Sequence, residues 1–146
     1  NSELHMWFAE HRLETTASPG AIWQRWADVA TWPDWNDALL WAHLEGQPAK
    51  DTTGTLKLRQ GAHLRVKVLK AIPAQRWVLE GRTLGLTLCF DFRVEATQLG
   101  ARVIHRVEGR GPLAWLWGFR GIERIRQGLP KAARALARLA GRRGTP

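Results

Sequence analysis

Beyond Trp41 the apolar residues of this 146-residue chain alternate with polar ones for about seventy positions, and from there to the C-terminus they recur at spacings of three and four. No other feature limits the possible folds as much. Period two belongs to an extended strand and the longer period to a helix, because side chains alternate across a strand but return to one helical face every turn. The alternation is clean: LCFDFRVEA sets Leu88, Phe90, Phe92 and Val94 against Cys89, Asp91, Arg93 and Glu95. HLRVKV likewise sets Leu64, Val66 and Val68 against His63, Arg65 and Lys67. Strands with one apolar and one polar face build an antiparallel sheet that is wet on one side. Breaks at Gly46-Gln47-Pro48, Asp51 to Gly54, Gln60-Gly61, Ile72-Pro73, Gly85 and Leu99-Gly100 divide the stretch into six strands.

A one-sided sheet must bury its dry face, and the C-terminal segment supplies the matching surface. Leu116, Phe119, Ile122, Ile125, Leu129, Ala132, Ala133, Leu136 and Leu139 form one helical stripe, opposite Arg120, Glu123, Arg124, Arg126, Lys131, Arg134 and Arg138. Pro130 removes a backbone hydrogen bond inside this helix and crowds the carbonyl of Arg126, so a kink is expected near Gly128. At the other end, alternation from about His5 to Thr15 reads as a first strand, and Ser18-Pro19 as a helix start. From Pro19 to about Ala30, Ile22, Trp26 and Val29 make one buried stripe with Trp23 beside it. Pro33, Asp34 and Asp37 then predict a second short helix over PDWNDALL, with Trp35 and Leu39 on one face and Trp32 extended at the joint. The expected fold is α+β: a seven-stranded curved antiparallel sheet gripping a long C-terminal helix, with two short helices between strands 1 and 2, all in one domain over 1–146.

Composition narrows the function classes. At 45% apolar and 24% charged residues the chain is an ordinary globular sequence. One cysteine, Cys89, excludes an internal disulfide, and no CxxC or HExxH pattern gathers the five histidines into a metal site or points to a cofactor. A reducing, cytoplasmic setting follows as the default. The longest apolar run, GPLAWLWGF at 111–119, is too short to span a bilayer, no signal-peptide pattern opens the chain, and a start at Asn1 suggests a trimmed or engineered end. The net charge of +9 is concentrated: residues 110–146 hold nine basic residues against one acidic. That charge describes either a solvated helix face or a contact with an anionic membrane or acidic partner, for which Arg124, Arg126, Arg134 and Arg138 are the candidates. No nucleic-acid-binding motif accompanies it, so a nucleic-acid partner is not expected.

The element order, with TASPGAIWQRWADVATWPDWND, ARVIHRVEGRGPL and GLPKAARALARL, resembles the START-like, polyketide cyclase and dehydratase superfamily (SRPBCC) over nearly the whole chain. The resemblance implies a helix-grip fold with an elongated cavity between sheet and C-terminal helix, used for apolar or aromatic ligands. Fold alone does not choose among cyclases, lipid or quinone carriers and proteins without a reaction.

Within that frame the reading is a protein that binds a hydrophobic small molecule such as a lipid, isoprenoid or aromatic polyketide. The expected lining is Trp35, Leu39, Leu64, Val66, Leu88, Phe90, Phe92, His105, Ile122 and Ile125. Five tryptophans fall between Trp23 and Trp41, and two readings stay open: Trp35, with Trp32 and Trp41, lines or lids the mouth, or the whole group fills the interior. Alternation in ARVIHRVEG points His105 inward, either as a satisfied core residue or as the general acid or base of a cyclase-like enzyme. The parity of the first strand is ambiguous, which leaves His11 as a second candidate. A third reading is a surface interaction module acting through the basic helix.

Overall fold

The alternating segments become strands whose buried positions are the apolar ones. A computed structural model describes residues 7–59, 61–112 and 114–143, and within them all side chains except those of 114–126, 142 and 143. Strand β1 (Trp7–Thr15) leads into helix α1 (Pro19–Ala27) and a 3-10 helix (Val29–Asp34). Six strands follow: β2 (Leu39–Leu44), β3 (Thr53–Leu58), β4 (His63–Ile72), β5 (Arg76–Thr83), β6 (Leu86–Ala96) and β7 (Ala101–Arg110). Helix α2 (Ala114–Arg143) completes the chain and runs on through Pro130.

All pairings are antiparallel, in the order β1-β7-β6-β5-β4-β3-β2. Strands β2 to β7 are successive hairpins, while β1 crosses to the far edge and pairs with β7, with His11 opposite His105. The two edge strands are therefore neighbours in sequence, and α1 with the 3-10 helix bridges the open side of the curled sheet. Helix α2 packs on β1, β7 and α1. Breaks in register in β2, between Leu39 and Trp41, and in β4, between Val68 and Lys70, add local twist to a sheet that must curl.

Helix α1 starts where the sequence predicts, with the Ser18 hydroxyl accepting from the amide of Ala21 at 3.1 Å and Pro19 at the first position. It ends at Ala27, earlier than the periodicity suggests, and PDWNDALL is not a second helix. Pro33 instead sits inside the 3-10 helix, the Asn36 side chain accepts from the amide of Ala38 at 3.1 Å, and Leu39 already begins β2. Tertiary burial overrides the local helix signal here. Trp32 is fully buried, its indole N–H donates to the carbonyl of Trp26 at 2.9 Å, and Trp35 packs on it with ring centres 5.5 Å apart. A further turn of helix at Pro33 would carry these two rings out of the core.

Burial also settles the parity of β1: Trp7, Ala9, His11 and Leu13 face inward and Phe8, Glu10 and Arg12 outward. The indole of Trp7 lies on Gly109 of β7, where a Cβ would overlap the ring, so glycine is required for the edge strand to lay its tryptophan flat.

Candidate functional site

The aromatic cluster divides the interior in two. On one side, Trp26, Trp32 and Trp77 are fully buried against Phe90 and Phe92, and Trp23 packs edge-on to Trp77. On the other side of Trp35 lies a cavity of about 540 Å³. Its floor is Leu86, Leu88, Phe90 and Phe92 of β6 with His105 and Val107 of β7, and Trp7 closes one flank. Its roof is Leu129, Ala132 and Ala135 of α2, while Trp35, Leu39 and Leu58 form the remaining wall. The volume falls within the usual range of small-molecule sites, and a mostly apolar wall with few polar groups is the usual composition.

The expected residues separate accordingly. Trp35, Leu39, Leu88, Phe90, Phe92 and His105 all border this cavity. Leu64 and Val66 do not: both are buried, but they pack around Gly81 of β5 on the more distant part of the curled sheet. The side chains of Ile122, Ile125, Arg124 and Arg126 lie outside the described residues. Trp32 stands behind Trp35 rather than at the mouth, and Trp41 is on the outer surface, 43% exposed. Trp7, Leu58, Leu86, Val107 and the roof positions Gly128, Ala132 and Ala135 are further lining residues. The sequence carried a signal for the last three. They fall at i, i+4 and i+7 on the inner helical face and are small, so the helix leaves space above β6 and β7 instead of filling it.

His105 is the one fully buried ionisable side chain among the described residues. Its Nε2 accepts from the indole N–H of Trp26 at 3.2 Å, which places the imidazole proton on Nδ1 because an indole nitrogen only donates. Phe92 stacks obliquely on the imidazole with ring centres 4.2 Å apart, and Trp35 lies 5.7 Å away. Burial, aided by His11, pushes the His105 pKa down to about 3, so the ring is neutral at ordinary pH. Its basic nitrogen is engaged and a poor proton acceptor, which disfavours the acid or base role and favours that of a satisfied polar wall group. His11, half-buried opposite it, also has a lowered pKa from burial and the nearby Arg134. Cys89 lies on the outer face; burial and the neighbouring Glu108 raise its thiol to about 11, leaving it protonated and unreactive.

Charge is confined to the mouth, where Asp34, Asp37, Arg59, Lys131 and Arg138 stand with Asn36. The ammonium of Lys131 on α2 meets the Asp37 carboxylate at 2.6 Å, and Arg59 donates from Nε to the Asp37 carbonyl at 2.8 Å. One residue of the loop before β2 is thus tied to the roof helix and to the end of β3. The Lys131 hydrogen bond lowers the Asp37 pKa. No cluster of metal-ligating side chains occurs among the described residues.

Solved structures match this arrangement over nearly the whole chain. A protein from Mesorhizobium loti superposes with a TM-score of 0.72 at 17% identity, over 93% of this chain and 98% of that one. Norcoclaurine synthase from Thalictrum flavum, in complex with dopamine and hydroxybenzaldehyde, gives 0.71 at 14% identity over 97% and 90%. The chain has a helix-grip fold. The di-domain ARO/CYC StfQ from the steffimycin biosynthetic pathway gives 0.74 at 12% identity, over 97% of this chain and 52% of its own length. No family model and no curated protein matches the sequence. The helix-grip architecture anticipated from the START-like resemblance is therefore present, and at these identities the likeness concerns the fold.

Proposed function

We propose that the protein binds an apolar small molecule of flat or chain-like shape in the cavity between β6, β7 and α2. The observation that carries this reading is the cavity of about 540 Å³ that remains open beside a tightly packed tryptophan core. A chain that needed only a core would place large side chains at Ala132 and Ala135, since closely packed interiors leave few voids larger than water. The apolar floor supplies affinity through burial, at about 25 cal/mol per Å² removed from water, and the charged mouth leaves room for one polar end. Aromatic rings at Trp35, Phe90 and Phe92 suit an aromatic or isoprenoid body, and the complex of norcoclaurine synthase with two aromatic compounds is consistent with such contents in a similar fold. A cyclase-like reaction receives less support, because His105 is neutral and its basic nitrogen is engaged by Trp26.

The test is native mass spectrometry of the purified protein, followed by titration with an apolar naphthalene dye. A retained small molecule, or saturable dye binding weakened at least tenfold by Trp35→Ala, is the expected result. A folded protein that carries nothing and ignores the dye would overturn the reading.

A further inference from the structure

The outer face of the sheet is divided into a charge-compensated part and an uncompensated one. On β1, β5, β6 and β7 the arginines are matched with carboxylates: Arg76 and Arg93 with Asp91, Arg82 and Arg110 with Glu80, Arg102 with Glu14 and Glu95, Arg106 with Glu10 and Glu108. Toward the β2 edge this matching thins to Lys67 with Asp51. Lys57 hydrogen-bonds only the backbone carbonyl of Gly61, Arg59 bonds the Asp37 carbonyl close to a carboxylate already held by Lys131, and neither Lys57 nor Arg65 has a carboxylate partner among the described residues. The same edge exposes two large apolar side chains in succession, Leu40 at 44% and Trp41 at 43%. The register break between Leu39 and Trp41 explains them: Leu39 and Ala42 are buried, so both intervening residues are turned to the outside. Trp41 lies beside His63, with ring centres 5.9 Å apart, and opposite Lys57 in the register.

We propose that this β2 edge docks the protein on an anionic phospholipid bilayer. A tryptophan and a leucine set among unpaired cations match the layers of such a surface: an amphipathic indole seats at the headgroup level, the leucine reaches acyl chains, and each nearby cation adds attraction to acidic headgroups. The patch does not suit a second copy pairing edge to edge, because a bulge and a flanking lysine are devices that blunt strand addition. It adjoins the cavity mouth, since Leu39 lines the interior while Leu40 and Trp41 face out, and Arg59 belongs to both. On the ligand-binding reading above, docking here would set the mouth beside the bilayer. The docking itself rests on the surface alone.

Co-sedimentation with vesicles of phosphatidylcholine, with and without phosphatidylserine, tests it, using brominated phosphatidylcholine as a quencher of inserted tryptophan. Binding should require phosphatidylserine, and brominated lipid should quench a part of the emission that disappears in Trp41→Phe. Lys57→Gln with Arg65→Gln should lower partitioning by roughly ten- to thirtyfold, from about 1 kcal/mol for each cation. Trp41 and Arg65 are exposed and Lys57 is half-buried with its ammonium on the Gly61 carbonyl, so unfolding transitions should move little. A cavity-filling Ala132→Phe variant should still dock, which separates failure of this proposal from failure of the ligand reading. The proposal is overturned if wild type ignores acidic vesicles, if quenching survives Trp41→Phe, if the charge variant binds like wild type, or if a DNA fragment is retained while vesicles are not.

Discussion

Burial turns His105 from a physiological proton carrier into a fixed acceptor. With a folded pKa of about 3 and an unfolded value near 6.5, the native state refuses a proton that the unfolded chain accepts between those limits. Stability contributed by the neutral ring is therefore complete above about pH 6.5 and is lost as pH falls, at about 1.4 kcal/mol per unit. Denaturant unfolding at pH 7 and pH 5 should show this loss, and His105→Leu should flatten it, because its apolar side chain does not titrate. His11 has the same sign and a smaller, more exposed contribution. Replacing the donor by Trp26→Phe leaves Nε2 of His105 buried without a partner, and a loss of about 1 to 3 kcal/mol in the same assay is expected. Alternation in ARVIHRV was enough to send His105 inward. The partner was not legible, since Trp26 stands 79 positions away on a helix whose placement depends on the whole sheet.

Among the elements, strands were easiest to read because one wet face imprints its parity on β6 and on most of β4 and β7, apart from the register break after Val68 and the buried Ile104. The segment from Asp28 to Leu39 was hardest, because Pro33, Asp34 and Asp37 are equally at home at a helix start and in a 3-10 turn closing on a strand. Only the depth to which Trp32 and Trp35 sink decides between them, and depth has no local signature. The roof of the cavity is set by the element that looked simplest. Ala132 and Ala135 hold α2 close to β7 yet leave volume above β6, so Ala132→Phe should lodge its ring in empty space. A folded protein with little change in stability, but with dye binding reduced more than tenfold, is expected from calorimetry and titration of this variant. If dye affinity is unchanged, the ligand lies elsewhere.

For the molecule as a whole, the proposed binding in the cavity would make stability depend on the ligand. Saturation at a hundredfold excess over Kd stabilises the native state by about 2.7 kcal/mol, which for a chain of this length corresponds to a rise in Tm of roughly 5 to 10 °C. Scanning calorimetry with and without a candidate ligand should show that rise, and extraction of any co-purified molecule should reverse it. The overall architecture was legible because a one-sided sheet and one long amphipathic helix have few ways to satisfy each other. The cavity's dimensions were not, as they arise from the difference between side-chain volumes contributed by α2, β6 and β7.

The pairing of β1 with β7 also imposes an order on assembly. Trp7 meets Gly109 across 102 positions of sequence, so β1, made before the other strands of this sheet, waits for β7, made after them. Hairpins from β2 to β6 can form as they emerge, but until residues 101–110 are made β1 has no neighbour and α2 has no complete floor to cover. A nascent chain arrested before Ala101 should therefore leave β1 open to proteases, and the cavity gains its complete floor only once β7 has been made.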